Sequence, residues 1–243
     1  MTARTLTTLF VCLWCLVAPT TGWALEPGPV GNVHAASVGG AFLGVPATPA
    51  GIFYNPASLA FGGVYLLDGS YAYANGPDAH ALQAAILDSK SSSIGAGVSY
   101  NYITFDGSGD TEADNGTTHD IRVGLAAPLV PRKFSVGAVG RYDRVSTFQL
   151  RTGTTDEFKE VTQTGFTFDL GVMAVASDYF IAGAVIRDVL RVDEIGTARS
   201  YEAGGTARFG SLVASGSWLG KPTNRDNMDI GYAAGLEYVT AVP

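Results

Sequence analysis

Phe166-Thr167-Phe168-Asp169-Leu170-Gly171-Val172-Met173-Ala174 is the stretch that decides the fold. Apolar Phe166, Phe168, Leu170, Val172 and Ala174 alternate with Thr167, Asp169 and Gly171. Successive side chains of a strand point to opposite faces, so period two means a strand with one apolar and one polar face. The same alternation carries Ile94 to Tyr102, Phe134 to Tyr142, Tyr201 to Phe209 and Ile230 to Tyr238. It predicts ten strands, near 64–74, 80–88, 93–103, 119–127, 133–145, 165–176, 179–187, 200–209, 211–219 and 228–239. Most match the roughly 9–11 residues that a tilted strand needs to cross a bilayer. A soluble β-sandwich also alternates, but packs Leu, Ile and Val on its apolar face. Here the polar face is Gly, Ser and Thr with isolated charges, and aromatics such as Tyr65, Tyr71, Tyr100, Tyr201, Trp218 and Tyr238 gather toward strand ends. That distribution suits interfacial girdles. The expected fold class is all-β, an antiparallel up-and-down transmembrane β-barrel of about ten visible strands, with 64–243 as the barrel.

The N-terminus agrees. Arg4 precedes the apolar run Leu9–Ala18, and Gly22-Trp23-Ala24 puts small residues at −3 and −1 of an exit site. These are the parts of a secretory signal peptide, read as residues 1–24. The run is shorter than the ~20 residues of a membrane helix. Cys12 and Cys15 lie inside it, so the mature chain is left without cysteine and without a disulfide or thiolate site. Removing Arg4 and no acid moves the net charge from −7 to −8, which argues against nucleic acid as a partner. The 31 glycines are nearly twice the usual share of ~7%.

Connection lengths give an orientation. Ser89–Ser92, Pro128–Arg132, Ser177-Asp178 and Gly210 read as short turns; Asn75–Ala79, Thr104–Thr118, Ser146–Thr164, Asp188–Arg199 and Gly220–Asn227 read as longer loops. Strict alternation of this kind is expected of periplasmic turns and extracellular loops, which places the chain in a bacterial outer membrane. The expected surroundings are outer-membrane lipids and lipopolysaccharide, and assembly would pass through the barrel assembly machinery.

Residues 25–63 lack the alternation and form a candidate hatch or plug. Asn55 is a good N-cap and Pro56 fits the first helical position, so a short turn should start there. Gly39–Ala60, with Tyr54-Asn55-Pro56-Ala57 followed by Leu59 and Ala60, resembles the N-terminal signature of the FadL-like outer-membrane transport protein family, including its PorV/PorQ-like relatives. The family's acidic pair is here Pro46–Pro49, and Ser58 stands where a glycine is usual. The resemblance implies a lumenal hatch and passage of hydrophobic compounds such as long-chain fatty acids. In the PorV-like branch it implies service to a secretion machine instead.

Chemistry-bearing patterns are sparse. His34, His80 and His119 are isolated, and there is no G-x-S-x-G elbow. Asp110, Glu112 and Asp114 alternate like a calcium loop, but Asn115 and Ile121 occupy the glycine and terminal-acid positions. No enzyme, metal or cofactor is read from the chain. Asp68, Arg122, Arg141, Asp143, Asp169, Arg187, Glu202, Arg208 and Glu237 are the expected lumen-facing charges, their mixed signs suiting an internal network. Transporter and non-transporting scaffold or secretion partner both remain open. Tyr238 to Pro243 repeats the shape of the Pro128–Pro131 turn, and the expectation is an incomplete barrel lacking at least one strand pair; the alternative is a closed barrel of ten.

Overall fold

A computed structural model describes residues 41–46, 48–74, 78–105, 115–151, 157–190, 198–224 and 227–239. The expected signal peptide 1–24, the first part of the N-terminal segment with His34, and the acids Asp110, Glu112 and Asp114 lie outside the described residues. Ten strands follow one another: β1 Tyr65–Ala74, β2 Ala79–Asp88, β3 Gly95–Phe105, β4 Gly116–Val130, β5 Phe134–Arg151, β6 Glu157–Ser177, β7 Phe180–Arg187, β8 Ser200–Phe209, β9 Leu212–Asn224 and β10 Asn227–Tyr238. They form one up-and-down sheet in chain order, every neighbouring pair antiparallel. Among the described residues β1 and β10 each pair with a single neighbour, so the sheet is open at both edges. No described helix is long and apolar enough to cross a membrane.

Two expectations need correcting. β5 and β6 run on to Arg151 and back from Glu157, and β9 and β10 meet at Asn224 and Asn227. Long connections expected at 146–164 and 220–227 are therefore largely hairpin, and connection length does not alternate strictly. The reason is that backbone pairing needs no apolar face. Val145, Ser146 and Thr147 continue against Thr162, Val161 and their neighbours on β propensity after the apolar alternation has stopped.

The predicted facing holds on β6. Phe166, Leu170 and Val172 are 55%, 41% and 40% exposed, against 0% for Thr167 and 1% for Asp169. Cross-strand registers carry this assignment around the sheet: Asp169 opposes Val139, Val139 opposes Gly124, and Gly124 opposes Gly97. The face bearing glycine, hydroxyls and charge is covered by the N-terminal segment. That segment contains a single helical turn α1 (Gly51–Tyr54) and a 3-10 turn (Pro56–Ala60).

The sheet curls around this segment. The Leu59 carbonyl rests on Gly95 of β3, and the Asn55 amide rests on Gly183 of β7. Laid flat, the four intervals between those strands would span about 19 Å at ~4.8 Å each. Four residues of 3-10 turn cover only ~8 Å. A flat sheet could not present both strands to one turn, so the covered face is the inner, concave one.

The outer face is apolar throughout its middle. On β1 Tyr65 and Tyr71 are outer-face residues six apart; on β8 Tyr201 and Phe209 are eight apart; on β10 Tyr232 and Tyr238 are six apart. At ~3.4 Å per residue these aromatic pairs are about 20–27 Å apart along the strands. Between the two bands no Asp, Glu, Lys or Arg occupies an outer-face position on any of the ten strands.

Candidate functional site

Asn55 organises the segment. It caps the 3-10 turn by accepting from the Ala57 N–H at 3.1 Å, with Pro56 in the first turn position as expected. Its amide nitrogen donates to the Leu43 carbonyl at 3.0 Å and to the Val172 carbonyl of β6 at 3.1 Å. One buried side chain thus ties the turn, the preceding loop and the sheet. Ser135 of β5 adds a bond to the Ala57 carbonyl at 2.8 Å. Ile52, Phe53 and Leu59 pack with Ala85, Leu87, Ala126 and Val139 in the largest apolar cluster.

Glycines make the seat. A Cβ at Gly137 would fall on the Pro56–Ala57 peptide, one at Gly171 on the Asn55 side chain and Pro56 ring, and one at Gly183 on the Leu43 carbonyl. Gly124 lies against Leu59 and Ile52. Gly97 opposes Gly124, and Gly137 opposes Gly171, so the strips are continuous across strands. These positions allow the segment's backbone to approach closer than any side chain would permit.

Toward the other end of the strands, the inner face carries an ionic network. Asp120 and Arg122 pair along β4, with Nη2 of Arg122 at 2.6 Å from the carboxylate. Arg141 and Asp143 pair along β5 at 2.7 Å, and Arg141 also binds Asp188 at 2.6 Å. The two strands place Asp120 opposite Asp143 and Arg122 opposite Arg141. Like charges opposite one another are unfavourable across a sheet, and each charge finds its partner two residues along its own strand instead. Asp169 accepts from the Asp188 N–H at 2.9 Å and lies 3.8 Å from Arg187. Arg187 is held by Glu202 and donates to the Phe53 and Tyr54 carbonyls. Those carbonyls are at the end of α1, where intrahelical donors run out. The Arg122 guanidinium sits 4.9 Å over the Phe53 ring. Burial pushes the Tyr54 phenol above its ordinary range, while Arg187 pulls the other way.

Of the charges expected to face inward, Arg122, Arg141, Asp143, Asp169, Arg187 and Glu202 come together in this network. Asp68 on β1 and Glu237 on β10 have inner-face registers but stand outside it. Arg208 is exposed at the turn end of β8, donating to the Gly210 carbonyl at 3.1 Å. Sequence reasoning missed Asp120 and Asp188. Asp120 had a signal, lying two residues from Arg122 on the same face; Asp188 follows the end of β7, where alternation assigns nothing.

The segment is held unevenly. On β5 to β7 it is bound by Ser135, Val172 and Arg187. On β2 to β4 its contacts are apolar apart from Arg122 over the Phe53 ring, and Gln83 Nε2, Ser99 Oγ, both amide atoms of Asn101 and Arg122 Nη1 are buried without a hydrogen-bond partner among the described residues. Gln83 opposes Asn101 and Ser99 opposes Arg122, so these orphan groups form one seam. At the turn end a cavity of about 610 Å³ opens beside Pro46, Phe61, Pro128, Pro131 and Val175. Comparison with protein-family models and with curated proteins returned no match.

Proposed function

We propose that the chain is an outer-membrane β-barrel of FadL-like type that passes hydrophobic compounds, such as long-chain fatty acids, past an N-terminal hatch. The observation that carries the membrane reading is the outer face, free of charge across ten strands between two aromatic bands. A soluble protein rarely leaves an apolar surface of that extent uncovered. In a bilayer an unpaired strand edge has no water to satisfy it, so the membrane reading requires partners for the β1 and β10 edges, in keeping with an incomplete barrel.

The hatch reading is supported by the asymmetric seat. The segment's hydrogen bonds to the sheet come from β5 to β7, so the β2–β4 side is the side on which it gives way. The open cavity at the turn end has the size of an ordinary ligand site, roughly 300–1,000 Å³, and is lined by Phe61, Val175 and three prolines together with Ser89, Ser92, Ser93 and Arg132. A second reading is a scaffold or PorV-like secretion partner. The paired charges on the inner face, linked from β5 to β8 with a further pair on β4, favour it.

Val172→Arg tests the facing. An arginine on the lipid side near the midplane is expected to cost about 2–4 kcal/mol, far more than Ser217→Arg on the inner face of β9. Urea midpoints of protein refolded into lipid vesicles measure both; equal midpoints would mean the faces are misassigned. Transport is tested by loading vesicles containing the protein with a hydrophobic dye. Removing residues 41–60 should raise dye passage several-fold, and unchanged passage through a correctly folded barrel would leave the scaffold reading standing.

A further inference from the structure

Two hairpins repeat one arrangement at the loop end of the outer face. On β1–β2, His80 lies between Tyr71 and Tyr73, with the Tyr71 hydroxyl 2.7 Å from Nδ1 and ring centroids at 6.0 and 5.0 Å. On β3–β4, His119 lies between Tyr100 and Tyr102, with the Tyr100 hydroxyl 2.8 Å from Nδ1 and centroids at 6.1 and 5.0 Å. In both, Nδ1 is engaged, and Nε2 is the nitrogen left for another partner.

The surroundings separate them. Nε2 of His80 is 3.9 Å from Asp78, which also accepts from the Tyr73 hydroxyl. His119 instead stands directly opposite Arg144 of β5, and Arg144 stands opposite Thr164 of β6. Directly opposed residues have Cβ atoms about 4.5–5.5 Å apart. Arg144 is exposed and has no ion pair among the described residues. A guanidinium without an ion pair among the described residues, an imidazole nitrogen and a hydroxyl therefore adjoin at the rim of a face whose middle carries no charge.

We propose that His119 and Arg144 bind the phosphate of a glycolipid in the leaflet on the loop side, with Tyr100 and Tyr102 packing beside its headgroup. The proposal rests on the membrane reading above. A phosphate matches the planar guanidinium fork and accepts from the imidazole, and the tyrosines present apolar bodies with polar tips at headgroup depth. The His80 arrangement, with Asp78 beside it, repels an anion and serves as an internal control.

Full-length protein in dodecyl maltoside, incubated with diphosphoryl lipid A, is examined by native mass spectrometry. The double variant H119Q/R144Q should retain at least about tenfold less lipid, H80Q should match wild type, and dephosphorylated lipid A should be retained weakly by all three. Heat-modifiable migration in gels checks that each variant is folded. Equal retention by wild type and H119Q/R144Q, or equal retention of the dephosphorylated lipid, overturns the site. Flotation of wild type with phosphatidylcholine vesicles separates the two levels. Wild type that floats while the double variant keeps its lipid loses the site alone; wild type that fails to float loses the membrane reading as well.

Discussion

Arg187→Met should lower the stability of the refolded protein by about 3–5 kcal/mol, the cost of removing one partner from a buried ion pair. Arg187 is mostly buried, held by Glu202 and 3.8 Å from Asp169. Methionine fills similar space but leaves Glu202 without its cation and the Phe53 and Tyr54 carbonyls without a donor. The loss is therefore largely the stranding of an acid and two carbonyls, not the absence of attraction. That account makes a second, sharper claim: R187M/E202Q should recover part of the loss, because the abandoned charge is gone. Urea midpoints in detergent measure both. A loss under about 1 kcal/mol for R187M, or no recovery in the double variant, would show that the network contributes little to the fold.

The next largest effect is expected at Asn55. Replacement by leucine keeps the branched shape and removes three hydrogen bonds, one to the Ala57 N–H and one each from the amide to Leu43 and Val172. The cap contributes roughly 1 kcal/mol, and each of the two carbonyls left bare costs at least roughly 1 kcal/mol, so the total is about 3 kcal/mol or more. This loss falls on the segment and not on the strand ladders. Limited proteolysis should cut within residues 41–63 of N55L while the strands stay protected, and hydrophobic dye passage should rise with it. Asn55→Asp separates the roles. Aspartate is as good a cap as asparagine but cannot donate, and it turns a negative oxygen toward two carbonyls. If N55D resembled wild type, capping alone would hold the turn; the geometry predicts that it resembles N55L.

Strand number, order and facing were legible because period two needs only a list of residues. Phe166 to Ala174 identifies its outer face without reference to any partner, and the registers agree. The ends of β5, β6 and β9 were not legible, because beyond the apolar belt the ladder is held by backbone bonds that leave no periodic trace in the side chains. The Asn55-Pro56 turn could be read from capping chemistry alone. The glycine seat could not. Gly97, Gly124, Gly137 and Gly171 look like filler on a polar face until registers bring them beside one another beneath the same turn. The ionic network was half legible: which charges face inward follows from alternation, but which ones meet depends on strand stagger and on Asp188, a residue past a strand end.

The seat also dictates an order of events during biogenesis. Asn55 reaches its sheet partner across 117 residues of chain, and Arg187 reaches Phe53 across 134. The floor on which the turn rests is built from five consecutive strands, β3 to β7, none of which has been made when residues 41–63 leave the ribosome. Contacts of such long separation form late, because the intervening chain must first be ordered. This early-made segment is thus the last to settle. Its docking marks that β3 to β7 have paired in register: a one-residue slip in any of them would turn a side chain where a glycine must lie and leave the segment unseated, open to proteases.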